Sequence, residues 1–283
     1  MNNEYRDIPS FDGTLLKCLI RETGSSKWLI VTHGLGEHGG RHEYMLKLFS
    51  QNFNIAIYDV RGHGRSGGPR VYVEDFQIYL KDLQAILEFL KKDFNMTDYS
   101  LFGHSMGGLI TAAYLQNMAS KDFYPQKVYL SSPAVAAPGF KGPLFAHAPE
   151  LVYDSLKKLP SVPVSGLLNL RRLSHDSRVY EAYVKDELNE LKIHTHLFLE
   201  ILRTARDVFS RPLRAECPLF CSVGTEDELV HPKMIQKYFK EIEKNCQLKV
   251  IPGGYHELHN EVDKYRKPYL NFLRQSLTGL SFE

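Results

Sequence analysis

Cysteine is scarce: four in 283 residues, Cys18, Cys217, Cys221 and Cys246, with no CxxC pair and no histidine at zinc-ligand spacing. Buried free thiols in a reducing, cytoplasmic setting are therefore expected over a disulfide scaffold or a structural zinc site. No run of ~18 apolar residues occurs anywhere. Met1 to Ser10 is polar, with Glu4 and Asp7 where a signal peptide needs an apolar core, so neither a membrane span nor secretion by that route is expected. Peripheral contact with a membrane stays compatible with this. Charge of one sign is also lacking. Thirty-five Lys+Arg against 33 Asp+Glu give a net charge of +2, with no electrostatic reason to expect a nucleic-acid partner.

What is present is a globular composition, 43% apolar and 24% charged, in a chain long enough to bury a core. At ~100–200 residues per domain, that means one large domain or two small ones. Short β-rich apolar runs alternate with longer helical periods, the pattern of an α/β protein with a mostly parallel sheet. The expected strands are Trp28–Thr32, Ile55–Asp59, Ser100–Gly103, Val128–Ser131, Leu219–Val223 and Leu248–Ile251, after an edge hairpin of Tyr5–Ile8 and Leu15–Arg21 around Phe11-Asp12-Gly13. Expected helices cover Glu43–Phe49, Glu74–Asp93, Met106–Met118, Pro232–Ile242 and Tyr265–Leu277. The alternation stops from about Ser132 to Glu216, too long for a bare loop. We expect a core of residues 1–131 and 217–283 with a helical cap insertion over 132–216.

Gly103-His104-Ser105-Met106-Gly107 follows an apolar run and precedes a helical pattern. The glycines permit a tight strand-to-helix turn that lifts the Ser105 hydroxyl clear of the backbone, beside the N–H groups of a helix start. Such a hydroxyl needs a base to take its proton and a third group to orient that base. Strand order directs attention to two later loops. Thr225-Glu226-Asp227-Glu228 follows one strand; of its three acids Asp227 is preferred, with Glu226 and Glu228 as solvated charges. Pro252-Gly253-Gly254-Tyr255-His256 follows the last; His256 is preferred as base over His259, which lies further along. For the oxyanion, the N–H groups of Leu35, in His33-Gly34-Leu35-Gly36, and of Met106 are the candidate donors. The Asp59–Ser66 loop is expected to brace the site.

Together, His33-Gly34-Leu35-Gly36-Glu37-His38, the Asp59–Ser66 loop, Gly103-His104-Ser105-Met106-Gly107-Gly108, Gly224–Asp227 and Tyr255–His259 resemble the monoacylglycerol lipase/lysophospholipase branch of the α/β-hydrolases, from about Trp28 onward. The resemblance implies an eight-stranded sheet with helices on both faces and a helical cap. It implies Ser105 as nucleophile, His256 as base and Asp227 as orienting acid. It also implies a glycerol pocket at Glu37, Arg41, His259 and, by a looser match, Tyr183. No metal or organic cofactor is implied. The expected partner is a single-chain acyl glycerolipid, with monoacylglycerol favoured because Glu37 would repel a phosphate, and lysophospholipid the nearest rival. A catalytically inactive small-molecule binding protein is the rival of another class. Leu35 is bulkier than the residue often found there and is expected to narrow the acyl entrance. Phe140, Leu144, Phe145, Leu151, Val152 and Leu156, with Leu167, Leu168 and Leu170, could line an acyl tunnel, touch a membrane or pack within the cap. Lys141, Lys157, Lys158, Arg171 and Arg172 could meet anionic headgroups or form a solvated face.

Overall fold

The computed structural model describes residues 3–136 and 147–280. Eight strands form one sheet: β1 (Asn3–Pro9), β2 (Leu15–Arg21), β3 (Lys27–Thr32), β4 (Asn54–Tyr58), β5 (Asp98–His104), β6 (Lys127–Ser131), β9 (Leu219–Gly224) and β10 (Cys246–Ile251). Their spatial order is β1-β2-β4-β3-β5-β6-β9-β10. The β1–β2 and β2–β4 pairings are antiparallel and all others parallel. This is an α/β-hydrolase fold.

Side chains alternate across the strands, as the two-residue period of a strand requires. On β3, Trp28 and Ile30 face one layer of core, with Leu80 and Leu83 of helix α2 (Gln77–Asp93) and Leu109 of α3 (Met106–Asn117). Leu29 and Val31 face the other, with Phe49 of α1 (Tyr44–Phe49) and Tyr269 and Leu273 of the C-terminal helix, Asp263–Thr278. Both faces are covered, which is why these strands read as continuous apolar runs. Each such fully buried Leu or Phe contributes about 1.5–3 kcal/mol.

Between β6 and β9 the described chain contains α4 (Glu150–Lys157), β7 (Pro163–Ser165), α5 (Ser177–Lys185), β8 (Lys192–His194) and α6 (Thr195–Val208). The β7–β8 antiparallel pair is a departure from the all-helical insertion expected. Its strands have three residues each, too few to show a two-residue period. Of the hydrophobic and basic residues singled out there, Phe140, Lys141, Leu144 and Phe145 lie outside the described residues. Leu151 and Val152 are exposed, while Leu167 and Leu168 pack against the main core. Lys157 pairs with Glu200, Arg172 with Glu228, and Arg171 lies over the Tyr180 ring. After β9 come α7 (Pro232–Lys237), then a π turn over Tyr238–Ile242 where one continuous helix was expected, and finally α8 (Asp263–Thr278). Helix α2 starts three residues later than expected, because Glu200 accepts the Phe76 N–H and Asp75 the Gln77 N–H just before it.

The strand order fixes where a site can form. From β3 the chain steps to β4 on one side, then crosses back to β5 on the other. The crevice beyond the carboxyl ends of β3 and β5 is therefore the sheet's switch point, where open α/β sheets take their ligands. Thr32 at the end of β3 pairs with Gly103 near the end of β5, so the loops after both strands emerge at one level. Gly224 and Ile251 are similarly paired, bringing the loops after β9 and β10 together.

Candidate active site

Ser105 stands between β5 and α3 at φ 52°, ψ −116°. A non-glycine residue here carries strain on the order of 1–3 kcal/mol, retained only where neighbours over-determine it. They do so here. A Cβ on Gly107 would lie 2.2 Å from the Thr32 carbonyl oxygen, and one on Gly103 2.4 Å from the Gly107 carbonyl oxygen, so only glycine fits at either position. The Ser105 N–H donates to the Ser131 carbonyl at 2.9 Å, and the Ser105 carbonyl accepts from Ala134 N–H at 3.0 Å.

Asp227 is the buried acid of its loop, with Glu226 and Glu228 exposed. Its Oδ1 accepts the Leu229 and Val230 N–H groups at 2.8 and 3.1 Å, and its Oδ2 lies 2.6 Å from His256 Nδ1. A carboxylate only accepts, so Nδ1 carries the proton and Nε2 is left with a lone pair. Burial alone would lower the His256 pKa, but Asp227, with help from Glu257 and Glu37, raises it above the ordinary value of 6.5. The His256 ring centroid is 4.9 Å from that of His104, and the His256 carbonyl accepts from Ser132 Oγ at 3.1 Å. Among the described residues no hydrogen bond joins Ser105 to His256. His104, the residue before the serine, is the one whose ring lies against His256. Serine–base bonds in unliganded enzymes are often long and tighten only with substrate.

The loop after β3 runs against the serine: a Cβ on Gly34 would sit 3.1 Å from Ser105 Cβ. His33 sets the direction of the Leu35 N–H. Its Nε2 accepts from Val60 N–H at 2.8 Å, so Nδ1 bears the proton and donates to the Gly34 carbonyl, also at 2.8 Å. In a trans peptide the N–H points opposite the C=O, so fixing the Gly34 carbonyl aims the next N–H. Burial depresses the His33 pKa to about 4 and keeps that tautomer neutral. Among the described residues the Leu35 and Met106 N–H groups have no acceptor. The Asp59–Ser66 loop supplies the Val60 donor, and Asp59 accepts Gly39 and Arg65 N–H groups at 2.7 Å each, the bracing expected of it.

The four expected glycerol-pocket residues lie near one another but differ in what they touch. Glu37 is buried; its Oε1 accepts from Gly34 N–H at 2.6 Å and meets His42 Nε2 at 3.0 Å, and its Oε2 accepts from Arg41 Nε at 3.1 Å. Burial would raise this carboxyl, yet His42, His104 and Arg41 hold it well below the usual carboxylate range. Arg41 also donates through Nη2 to both oxygens of Glu257, at 2.6 and 2.5 Å, and lies 4.8 Å from the centroid of the Tyr183 ring. Two carboxylates thus share one guanidinium, and His42 lies on one of them. Tyr183 Oη donates to the Gly36 carbonyl at 2.7 Å. His259 stacks on Tyr44 and touches His42 and His104; both its ring nitrogens are without a partner among the described residues, and burial, then His42 and His104, keeps it neutral. Sequence reasoning gave no role to His33 beyond its turn or to Glu257. An acid beside the base in Tyr255-His256-Glu257 was the only signal for Glu257.

Beside Ser105 and Met106 lies an apolar pocket walled by Leu35, Leu168, Phe198 and Leu202. Leu35 and Leu168 also border a second cavity of about 350 Å³ under the insertion, which reaches Tyr180, Tyr183 and Glu190. Leu35 thus lines both cavities.

A strained serine at the switch point of this sheet, with a carboxylate-bound imidazole against the histidine before it, fits the class that the family match shows: the chain is a serine hydrolase of the esterase and lipase type. It belongs to the Hydrolase_4 family, described as serine aminopeptidase, S33, whose model matches residues 24–263. It is similar to the Homo sapiens monoglyceride lipase, 28% identical over 268 residues that cover 91% of this chain and 86% of that one. It is 29% identical to an uncharacterized abhydrolase domain-containing protein of Dictyostelium discoideum over 82% of this chain; the match spans about a quarter of that longer protein, 24%. The monoacylglycerol lipase crystal structure from Paleococcus ferrophilus superposes with a TM-score of 0.75 at 24% identity, covering 98% of this chain and 100% of that one.

Proposed function

We propose that the protein hydrolyses monoacylglycerol to glycerol and free fatty acid through an acyl-enzyme. Ser105 Oγ attacks the ester carbonyl while His256 Nε2 takes its proton, and Asp227 stabilises the imidazolium that results. Negative charge on the former carbonyl oxygen is met by the Leu35 and Met106 N–H groups. As the C–O bond breaks, His256 returns the proton to the leaving glycerol oxygen. Water, deprotonated by the same ring, then attacks the acyl-enzyme and releases the fatty acid. Every proton in the cycle passes through one nitrogen.

The observation that carries the substrate choice is the contrast between the two sides of Ser105. One side is the apolar pocket at Leu35, Leu168 and Phe198, suited to an acyl chain. The other is the Glu37–Arg41–Glu257 cluster, whose two buried carboxylates disfavour a phosphodiester and suit a neutral alcohol. The similar human protein is named a monoglyceride lipase, which supports the same choice. Leu151, Val152, Leu159 and Val162, all exposed beside Lys158, form the face we propose for peripheral contact with a lipid surface. No helix among the described residues is long and apolar enough to cross a membrane. The free thiols fit a cytoplasmic setting.

The test is kcat/KM for monoacylglycerol against lysophosphatidylcholine of equal chain length, with an amino-acid p-nitroanilide as the amide control. A preference for monoacylglycerol of about tenfold or more is expected, corresponding to about 1.4 kcal/mol of discrimination. A preference for the phospholipid, or faster turnover of the anilide, overturns the substrate assignment.

A further inference from the structure

The loop that carries the Leu35 N–H is tethered on both sides. Upstream, Gly34 is held by residues of its own segment: His33 on its carbonyl and Glu37 on its N–H. Downstream, both tethers come from the insertion. The Gly36 carbonyl accepts from Tyr183 Oη at 2.7 Å and from the Glu190 N–H at 2.8 Å. Gly36 itself is in the left-handed region at φ +74°, and a Cβ there would lie 2.9 Å from both Tyr183 Oη and the Glu190 carbonyl oxygen. The insertion therefore closes directly on this glycine.

Tyr183 is fixed for that contact. Its ring lies under the Arg41 guanidinium, which two carboxylates clamp, and its own carbonyl accepts from Asn189 Nδ2 at 2.9 Å, shaping the turn that delivers Glu190. The single hydroxyl proton of Tyr183 is committed to Gly36. It has none left to donate to a glycerol hydroxyl.

We propose that Tyr183 is a positioning residue rather than a glycerol ligand: by holding the Gly36 carbonyl it fixes the Leu35 N–H, so the oxyanion hole is complete only with the insertion docked. The proposal rests on the reading of Ser105 and Leu35 given above and is independent of which alcohol leaves. A misplacement of about 1 Å can cost on the order of a hundredfold in rate, and the Glu190 tether remains when the hydroxyl is removed, so a loss of about tenfold is expected.

Tyr183→Phe removes only the hydroxyl and keeps the ring under Arg41. Three readouts decide the matter: kcat and KM for monooctanoylglycerol, the same for p-nitrophenyl butyrate, and the second-order rate of inactivation by a fluorophosphonate. The last two carry no glycerol. The expected result is a loss of about tenfold in kcat on both esters and in the inactivation rate, with KM for p-nitrophenyl butyrate within about twofold of wild type. The melting temperature should fall by no more than about 3 °C, the size of one hydrogen bond in a chain of this length. A loss confined to monooctanoylglycerol makes Tyr183 a glycerol ligand and overturns the proposal, as do wild-type rates on all three. Should the wild-type enzyme turn over p-nitrophenyl butyrate but not monooctanoylglycerol, the substrate assignment fails, and the other two readouts still judge Tyr183.

Discussion

Replacing His33 with alanine separates folding from catalysis at one buried ring. The imidazole bridges the Val60 N–H and the Gly34 carbonyl, each at 2.8 Å, and is wholly buried. Its removal leaves two main-chain groups unpaired, at about 1–3 kcal/mol each, so a stability loss of roughly 2–6 kcal/mol is expected. The Gly34–Leu35 peptide is then free to turn, and kcat should fall by up to about a hundredfold, the lower range for losing an oxyanion donor. The ring also leaves a signature in pH. With the pKa at about 4 in the folded protein and near 6.5 unfolded, the unfolded chain binds the extra proton, so stability falls as pH drops below 6.5. Between pH 7 and pH 5 this group alone removes about 2 kcal/mol. Urea unfolding at the two pH values, beside p-nitrophenyl ester kinetics at a temperature where both proteins are folded, measures all three effects. His33→Ala should be less stable and slower, and its stability should depend less on pH over that interval. A variant that is destabilised yet keeps kcat within about twofold would refute the assignment of His33 to the oxyanion loop.

Because Asp227 raises the His256 pKa, and only the neutral ring can accept the serine proton, the acid limb of kcat/KM should have its midpoint above pH 6.5. Asp227→Asn should lower kcat by about 10⁴ at pH 8, since the ring loses both its tautomer and its countercharge, and should shift the midpoint downward; a limb that stays in place contradicts the pairing. Arg41→Leu leaves Glu37 and Glu257 buried together without their shared guanidinium and should cost about 3–5 kcal/mol in urea unfolding, whereas a loss under about 1 kcal/mol would mean the cluster is solvated.

Much of this architecture was legible because it follows from local rules. The strands of a sheet covered on both faces must be apolar throughout, so Trp28–Thr32 and Ser100–Gly103 stood out, and the order of strands pointed to the loops carrying Asp227 and His256. The choice of Asp227 over its neighbours rested on the loop alone; in the fold it is the acid turned inward to His256, while Glu228 pairs with Arg172 at the surface. What the sequence concealed is set by long-range packing. Nothing in His33-Gly34 announces a partner at Val60, and nothing in the insertion announces that Tyr183 reaches Gly36, 147 positions away. The β7–β8 pair was hidden for a similar reason, as each of its strands is too short to show a period and gains its partner only through the fold.

The whole reaction turns on Ser105 as a nucleophile activated by His256. Treating the protein with a fluorophosphonate at pH 8 and mapping the adduct by mass spectrometry tests it most directly. One stoichiometric adduct on Ser105 is expected, lost in Ser105→Ala together with esterase activity and formed far more slowly in His256→Ala. An adduct on any other residue, or esterase activity surviving in Ser105→Ala, would contradict it.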